Sequence, residues 1–287
     1  MRLLILTLER NLELEAEHEI RYLDYRRMDE IGLDAVIAEI EEFAPALIIE
    51  REFNDGKSRY DALLDHIRKN TRIPTAVWLI DTHCAFKRHK KYAPKFHYVF
   101  LAISKFVPKF RKWNPNTFWL PLCFQGRSDA LVPGDAPRRY DVSFIGNYEM
   151  KLFKNRRKML EAIRKEFGDR FLLATDYENL LPLLRASRVS FNCSLDEDLN
   201  FRVWEVLACT ELVTDLVPDI PKIAGLEQRL HAYRKKTDML EKIHAVLDGS
   251  AATDTTDNRE WIRHNHCLVH RYRSLLNMVE TGIQESF

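Results

Sequence analysis

The sequence has no acidic residue between Thr82 and Ser128, although the whole chain is nearly neutral. All 43 Asp and Glu residues lie outside this segment, whereas ten of the 44 Lys and Arg residues lie inside it. A segment with basic and no acidic residues concentrates positive electrostatic potential on one part of the fold. The segment therefore favours an anionic partner, with a plain solvated face as the alternative. The basic residues expected to meet that partner are Lys87, Arg88, Lys90, Lys91 and Lys95.

Cysteine pairs are missing too. The five cysteines are scattered, and no two form a C-x-x-C pair. Zinc sites and disulfide frameworks need regularly spaced cysteines, so we expect neither of them. Scattered cysteines are typical of proteins in a reducing compartment, where thiols serve as small core residues. We therefore expect a cytoplasmic protein.

Long hydrophobic runs are also absent. No apolar run reaches the roughly 18 residues of a membrane-spanning helix, so we expect no transmembrane segment. The N-terminus, M-R-L-L-I-L-T-L-E-R, turns acidic too early for a signal peptide and predicts a strand instead. A chain of 287 residues, 46% of them hydrophobic, suits two ordinary domains or one large one.

Short apolar segments alternate with amphipathic helical ones along the chain. Thr75–Asp81 predicts a buried strand, and Asp34–Phe43 predicts a helix with one apolar face. This alternation is typical of a parallel, doubly wound α/β sheet. Only Glu9–Glu17 separates the first two predicted strands, so the first crossover should be abbreviated.

The pattern starts again after a proline-containing segment. Val132–Arg139 reads V-P-G-D-A-P-R-R and predicts a linker. We therefore expect two Rossmann-like domains, over residues 1–134 and 135–260, and a long closing helix over 261–287.

The most informative stretch is Asp196–Asp215, D-E-D-L-N-F-R-V-W-E-V-L-A-C-T-E-L-V-T-D. It follows a predicted strand at Val189–Cys193 and leads into another at Glu211–Val217. Asn200 can cap a helix that begins near Phe201. A polar loop between a strand and a helix is where open α/β sheets bind phosphate-bearing ligands, so we interpret the stretch as a nucleotide-sugar site.

Two side chains of this stretch fit that chemistry. Arg202 can make a forked contact to phosphate, and its alternative is a surface ion pair with Asp196 or Asp198. Glu205 lies among apolar neighbours and needs a hydrogen-bond partner. Ribose hydroxyls or an internal salt bridge would satisfy it.

Other polar residues follow predicted strands elsewhere. Gly146 and Asn147 can bring backbone N–H groups to a phosphate, unless they form an ordinary turn. Asp81 and His83 can supply a proton acceptor or a sugar contact, although a single histidine is often structural. His266 and His270 lie four residues apart, on one face of a predicted helix. We interpret them as packing and capping groups, or as contacts to the cleft, because no third metal ligand is evident.

Several motifs together resemble a known family. D-L-N-F-R-V-W-E-V-L-A-C followed by L-V-T-D resembles the core motif of the CgeB-like (spore-maturation protein-like) branch of GT-B glycosyltransferases. V-S-F-I-G-N, with Arg156 and Arg157 following, is similar to the opening strand of that family's C-terminal domain. W-L-I-D-T-H, F-W-L-P-L and H-C-L-V-H-R resemble further signatures, and the matches extend from about residue 75 to 275.

The resemblance implies a GT-B fold, in which two Rossmann-like domains face a cleft and a C-terminal helix packs back toward the N-terminal domain. The C-terminal domain would hold a nucleotide-diphosphate sugar, with a UDP-sugar as the expected co-substrate and no cofactor. The N-terminal domain would hold the acceptor. The resemblance also implies a retaining transfer without a metal, in a bacterial or phage protein. The D-x-D formed by Asp196 and Asp198, a manganese motif of another glycosyltransferase fold, is the alternative.

The resemblance also assigns roles to individual residues. Glu205 would accept the ribose hydroxyls, and Glu197 would lie near the donor sugar. Thr210 and Glu211 depart from the family, which usually has glycine there. The expected catalytic residues are Asp81, His83 and Glu197. The expected donor-binding residues are Gly146, Asn147, Arg156, Thr175, Asn200, Arg202, Glu205, Thr214 and Asp215.

Other functions remain open at this point. The departure at Thr210 suggests a non-catalytic module that binds a nucleotide sugar without turnover. The basic segment suggests a nucleic-acid-binding protein or a transferase that acts on DNA. A sugar-nucleotide epimerase on the same fold is a further alternative.

Overall fold

The computed structural model describes residues 1–7, 10–52, 60–131, 137–149 and 153–287. The chain forms two compact units. The first contains Met1–Leu122 together with Leu268–Glu285, and the second contains Cys123–Cys267 with the last two residues. No helix of the described residues is both long and apolar enough to span a membrane.

The first unit is built on a six-stranded parallel sheet with the order β2-β1-β3-β4-β5-β6. Leucine, isoleucine, valine and aromatic residues fill its central strands, which suits a parallel sheet covered on both faces. Its strands are β1 (Arg2–Leu6), β2 (Glu19–Leu23), β3 (Leu47–Glu52), β4 (Thr75–Leu79), β5 (Tyr98–Leu101) and β6 (Thr117–Trp119).

The helices of the first unit include the predicted short crossover, since α1 has only four residues. Asn11 caps α1 by accepting a hydrogen bond from the Leu14 amide at 2.9 Å. The helices are α1 (Leu12–Glu15), α2 (Tyr25–Ile31), α3 (Leu33–Phe43), α4 (Asp61–Asn70), α5 (Thr82–Tyr92) and α6 (Val107–Phe110).

The second unit has a five-stranded parallel sheet with the order β11-β10-β9-β7-β8. Because β8 lies on one side of β7 and β9 on the other, the direction of winding reverses between β7 and β9. Ligands of doubly wound sheets bind at the carboxyl ends of the strands at such a switch point. The strands are β7 (Tyr140–Ile145), β8 (Phe171–Ala174), β9 (Ser187–Phe191), β10 (Glu211–Asp215) and β11 (His231–Tyr233).

The helices that follow cover this second sheet. They are α7 (Lys154–Phe167), α8 (Leu180–Arg185), α9 (Phe201–Leu207), α10 (Lys236–Leu247) and α11 (Thr255–Asn265). Phe144 and Phe191 of the sheet share one buried core with Phe167 of α7 and Ile243 of α10. This apolar core holds the sheet and the helices in place, which fixes the polar loops at the strand ends.

The predicted closing helix over 261–287 is two helices. The helix α11 ends at Asn265, and α12 (Leu268–Thr281) belongs to the first unit. The buried guanidinium of Arg271 anchors α12, because it donates to the carbonyls of Pro121 at 2.8 Å and Leu122 at 3.3 Å. A C-terminal helix therefore packs onto the first unit as predicted, but it begins at Leu268, seven residues later than predicted.

The predicted domain limits at residues 134 and 260 also differ from the limits of the two units, which lie after Leu122 and Cys267. The predicted linker, Val132–Arg139, lies partly outside the described residues, which resume at residue 137.

Candidate functional site

The candidate site of the second unit lies at the carboxyl ends of β7 and β9, where the sheet changes winding direction. Gly146 directly follows β7, and Asn192 directly follows β9. The two strands are adjacent and parallel, so these two loops begin at the same edge of the sheet. The switch point therefore brings together segments that are more than forty residues apart in the sequence.

Asn200 caps α9 as predicted. Its side chain accepts a hydrogen bond from the Arg202 amide at 3.1 Å, and its own backbone is extended. The side-chain nitrogen of Asn200 also donates to the side-chain oxygen of Asn192 at 3.4 Å. The start of α9 is thereby tied to the end of β9.

Asn192 is a central residue of the site that the sequence did not single out. It is 1% exposed, and its side-chain nitrogen donates to the Thr214 hydroxyl at 3.0 Å. Its side-chain oxygen accepts from Arg202 at 3.2 Å. The one available signal was an amide placed immediately after the apolar residues of β9.

The side chain of Arg202 extends from α9 across the end of β7. Its Nε donates to the carbonyl of Ile145 at 2.8 Å, and its guanidinium carbon lies 4.6 Å from the ring centre of Phe144. Gly146 leaves room for it, since a β-carbon there would lie 1.8 Å from Nη2 of Arg202. Gly146 also has a φ of +153°, which favours glycine.

Arg156 of α7 hydrogen-bonds the loop after β7 and the loop after β9. Its Nε and Nη2 donate to the carbonyl of Cys193 at 3.0 and 2.7 Å, and its Nη1 donates to the carbonyl of Asn147 at 2.6 Å. The residue is 6% exposed. One guanidinium therefore fixes the loop after β7 against the loop after β9.

The two guanidiniums create a positive site. Among the described residues, neither Arg156 nor Arg202 has a carboxylate within ion-pair distance. Burial, together with the nearby charge of Arg202, lowers the pKa of Arg156 to about 10. Burial also lowers the pKa of Arg202, with the Tyr177 hydroxyl and Glu205 acting in the opposite direction. A buried and a half-buried cation without a partnering carboxylate favour the binding of an anion.

Glu205 lies one turn after Arg202 on α9. Burial raises the pKa of its carboxyl group, and the charge of Arg202 opposes this rise. In the part of the chain that the structure describes, the carboxylate has no hydrogen bond or ion pair. Such a carboxylate gains most from a ligand that brings hydroxyl donors.

The loop between β9 and α9 has an unusual backbone. Asp196 and Glu197 both have positive φ, +53° and +64°, in the left-handed region that such residues seldom adopt. Asp215, at the end of β10, holds the loop by accepting from the Ser194 amide at 2.8 Å and from the Ser194 hydroxyl. Strained backbone of this kind is found where a loop presents groups to a ligand.

The loops after β7 and β8 differ from the expectation in one respect. The amide of Gly146 donates to the carbonyl of Ala174 at 2.8 Å, and the amide of Asn147 donates to the Tyr177 hydroxyl at 3.1 Å. Both backbone donors are therefore already used within the protein. Thr175, which directly follows β8, is exposed beside this loop.

The chain is similar to known proteins both in sequence and in fold. Residues 147–277 match the sequence model of a glycosyl transferase-like family. HepE of Anabaena, solved with UDP and glucose, has a TM-score of 0.63 at 10% identity, over 98% of this chain and 100% of its own. The UDP-forming α,α-trehalose-phosphate synthase of Burkholderia vietnamiensis has a TM-score of 0.60 at 9% identity, over 98% and 99%. The fold is that of the GT-B glycosyltransferases.

A third structure with this GT-B fold is MnaA of S. aureus, solved with UDP. It has a TM-score of 0.54 at 9% identity, over 99% of each chain. Among curated proteins, none matches the sequence of this chain.

The departure from the family at Thr210 and Glu211 lies away from the candidate site. Glu211 begins β10, so it lies at the amino end of the strand whose carboxyl end holds Asp215. Its carboxylate accepts from His231 at 3.1 Å and from the amide and hydroxyl of Thr253, both at 2.8 Å. Glu211 thus belongs to a buried polar network at the opposite edge of the sheet, where the Thr210 hydroxyl donates to the carbonyls of Ser187 and Arg188.

His266 and His270 do not share one helical face. His266 follows α11, and its ring packs 4.8 Å from Trp204 and 4.1 Å from Trp261, measured between ring centres. His270 lies in α12, in the first unit. His266 is thus a packing group, as interpreted from the sequence.

The candidate residues of the first unit follow β4. Asp81 has a φ of +53° and directly precedes α5, whose first turn contains His83. A carboxylate oxygen of Asp81 and a ring nitrogen of His83 lie within 4.8 Å of each other. They form a compact polar pair at the carboxyl edge of the first sheet.

Proposed function

We propose that the protein is a glycosyltransferase that transfers a sugar from a nucleotide-diphosphate sugar to an acceptor hydroxyl. The observation that carries this proposal is the pair of guanidiniums at the switch point of the second sheet, buried Arg156 and half-buried Arg202. Glu205, whose carboxylate has no hydrogen bond or ion pair in the described part of the chain, lies one helical turn after Arg202. The two guanidiniums can bind a diphosphate, and the neighbouring carboxylate can accept hydrogen bonds from ribose hydroxyls. This combination suits a nucleotide sugar.

Each residue has a defined part in this proposal. Arg202 binds the diphosphate and stabilises the charge that develops on it as the sugar leaves. Glu205 accepts hydrogen bonds from the ribose hydroxyls. Glu197 lies near the donor sugar, in the loop that Asp215 and Ser194 hold in place.

Arg156, Asn200 and Thr214 act as positioning residues. Arg156 fixes the loop that contains Asn147, while Asn200 and Thr214 both hydrogen-bond Asn192, which orients Arg202. Gly146 provides the space that the guanidinium occupies, and Thr175 lies at the outer edge of the site.

UDP is the nucleotide that we propose, because it is the nucleotide bound in the structures of HepE and MnaA. The bond between the anomeric carbon and the diphosphate breaks with its electron pair leaving on the phosphate oxygen. The acceptor oxygen bonds to the same face of the sugar, with retention, and its proton passes to the leaving phosphate. The proposed transfer needs no metal, and in this proposal Asp81 and His83 act on the acceptor side.

We further propose that the chain belongs to the CgeB-like branch and acts in the cytoplasm. The motifs quoted above support the branch, and the five free thiols suit a reducing compartment. The acid-free segment of the first unit favours an anionic acceptor.

The decisive experiment measures UDP binding by isothermal titration and UDP release from a panel of UDP-sugars. Arg202→Ala should weaken UDP binding by about tenfold to a hundredfold, because a hydrogen bond to a charged group contributes about 1.5–3 kcal/mol. Arg164→Ala on the exposed face of α7 is the matched control and should leave UDP binding unchanged. Equal affinity of the two variants would contradict the site. UDP binding without sugar transfer or hydrolysis would favour a binding module, and an isomerised donor would favour an epimerase.

A further inference from the structure

The first unit has a surface whose chemistry the nucleotide site does not use. It is formed by four aromatic rings and three lysines of α5 and of the segment that follows β5, and we call it the lysine–aromatic face. Its rings are Phe86, Phe106, Phe110 and Trp113, and its lysines are Lys90, Lys105 and Lys109.

The rings form one continuous cluster centred on Phe86. The ring centre of Phe86 lies 5.7 Å from Phe106, 5.7 Å from Phe110 and 6.0 Å from Trp113. Phe110 is fully buried, whereas the other three rings are only half-buried. The core of the unit therefore supports an aromatic cluster that is partly open to solvent.

Lysine ammonium groups lie over these rings. The Nζ of Lys109 is 4.4 Å from the ring centre of Phe86, and the Nζ of Lys90 is 4.9 Å from that of Trp113. Cation–π contacts of this kind modestly favour positions of the ammonium groups over the rings. The face thus presents positive charges beside aromatic rings.

Several lysines on and beside the lysine–aromatic face lack an ion-pair partner in the described part of the chain. Among the described residues, Lys87, Lys90, Lys91, Lys109 and Lys112 have no carboxylate within ion-pair distance. Lys95 differs, because it pairs with Asp61 at 2.8 Å and approaches Asp65 at 4.0 Å. The sequence placed Lys95 with the other basic residues, and the structure separates it from them.

The position of the face in the fold is that of a ligand surface. Phe86 lies in the first turns after β4, and Phe106 follows β5, which is the neighbour of β4 in the sheet. The face therefore begins at the carboxyl edge of the sheet, beside Asp81 and His83. This edge is where parallel sheets bind their ligands.

We propose that the lysine–aromatic face binds the acceptor, and that the acceptor is a glycan carrying carboxylate or phosphate groups. The inference rests on the proposed function, because it assigns the acceptor of that transfer. The lysine ammonium groups bind the anions, and the exposed ring edges and lysine stems contact the apolar faces of the sugars.

A glycan fits this face better than a nucleic acid does. Single-stranded nucleic acids bind by stacking bases on open aromatic faces, but ammonium groups already lie over Phe86 and Trp113. A duplex is stiff and extends beyond a small patch. All 43 acidic residues lie outside the acid-free segment, so a longer polyanion would meet negative charge beyond it.

The experiment compares the full-length protein and its variants for binding of four probes by titration calorimetry. The probes are a hyaluronan octasaccharide, a phosphomannan oligosaccharide, an uncharged dextran octasaccharide, and a DNA 12-mer as a single strand and as a duplex. Wild type should bind at least one of the two anionic oligomers and should not bind dextran. Its affinity for the anionic oligomer should fall as the salt concentration rises from about 50 to about 200 mM.

Charge reversal tests the residues. The variant K90E/K109E should weaken binding of the anionic oligomer by about tenfold or more. Because these lysines contact rings, K87E/K91E on the exposed side of α5 is a second variant that should also weaken binding. The matched control is K158E/K165E on α7 of the second unit, which should bind like wild type.

The outcomes separate this inference from the proposed function. Equal binding of dextran, unchanged affinity in both face variants, or tighter binding of DNA through the same lysines would overturn the inference. UDP binding and UDP-sugar hydrolysis without acceptor report on the second unit alone, and all variants of the face should keep both. If wild type bound no UDP, the proposed function would be wrong. The glycan titration would still show whether the lysine–aromatic face binds an anionic glycan.

Discussion

A β-carbon on Gly146 would lie 1.8 Å from the Nη2 atom of Arg202, so the glycine and the arginine occupy one space. The guanidinium can donate to the carbonyl of Ile145 only because the next residue has no side chain. The glycine of the V-S-F-I-G-N motif thus admits a cation to the switch point. We had expected it to offer its own backbone amide to a phosphate, and that amide donates to Ala174 instead.

The first prediction concerns this pair. Gly146→Ala should displace Arg202 and weaken UDP binding by about tenfold or more, because the lost contact is one to a charged group. Isothermal titration with UDP measures the effect. Gly249→Ala is the control, since Gly249 also has a positive φ but a β-carbon there would meet nothing within 4 Å.

A double variant tests whether the clash is the cause. In Gly146→Ala with Arg202→Ala, the clash is removed, so the melting temperature should recover relative to Gly146→Ala alone. Additive losses of stability would show that the two residues are independent and that the glycine is needed only for its φ.

The second prediction concerns Arg156. Arg156→Ala leaves the carbonyls of Cys193 and Asn147 without their donor and should lower the free energy of unfolding by about 2–4 kcal/mol. Arg156→Lys keeps the charge, but a single ammonium cannot span both carbonyls, so most of the loss should remain. Urea unfolding measures both, and Arg164→Ala, which changes an exposed arginine of the same helix, should cost less than about 0.5 kcal/mol.

The third prediction concerns Glu205 and pH. Burial raises the pKa of its carboxyl group in the folded protein, so ionisation disfavours the folded state. The corresponding stability is present at low pH and is lost as pH rises from the ordinary glutamate value of 4.5 through the higher folded value. Glu205→Gln should therefore be more stable than wild type at pH 7, with a difference that shrinks toward pH 4.

The same variant should bind UDP about tenfold more weakly at pH 7, because an amide accepts ribose hydroxyls less well than a carboxylate does. Glu161→Gln on the exposed face of α7 is the control for both measurements. If Glu205→Gln lost stability at pH 7, the carboxylate would have a structural partner, and the ribose assignment would be wrong.

The fourth prediction concerns Glu211 at the amino end of β10. Glu211→Ala removes the acceptor of His231 and Thr253 and should lower the free energy of unfolding by about 1–3 kcal/mol. UDP affinity should not change, because the network lies at the opposite edge of the sheet from Asp215. A loss of UDP affinity at constant stability would show that the departure from the family does reach the nucleotide site.

The sequence by itself determined the features that depend on neighbours along the chain. The alternation of strands and helices, the short first crossover and the cap at Asn200 follow from local periodicity and from hydrogen bonds spanning two or three residues. The stretch Asp196–Asp215 was identified for the same reason, since its polar residues follow directly after an apolar strand. The closing helix was the local exception, because the break at His266 lies inside a continuous helical pattern.

Only the tertiary structure decided which distant residues meet. Strand β7 lies beside β9 as well as β8, and this order brings Gly146 to Arg202 and makes Asn192 the residue that links the two loops. The same long-range packing pairs Lys95 with Asp61, holds Lys109 over Phe86, and places Glu211 away from the site. Such contacts depend on strand order and helix docking, which are set by the burial of the whole core and not by any local segment of the sequence.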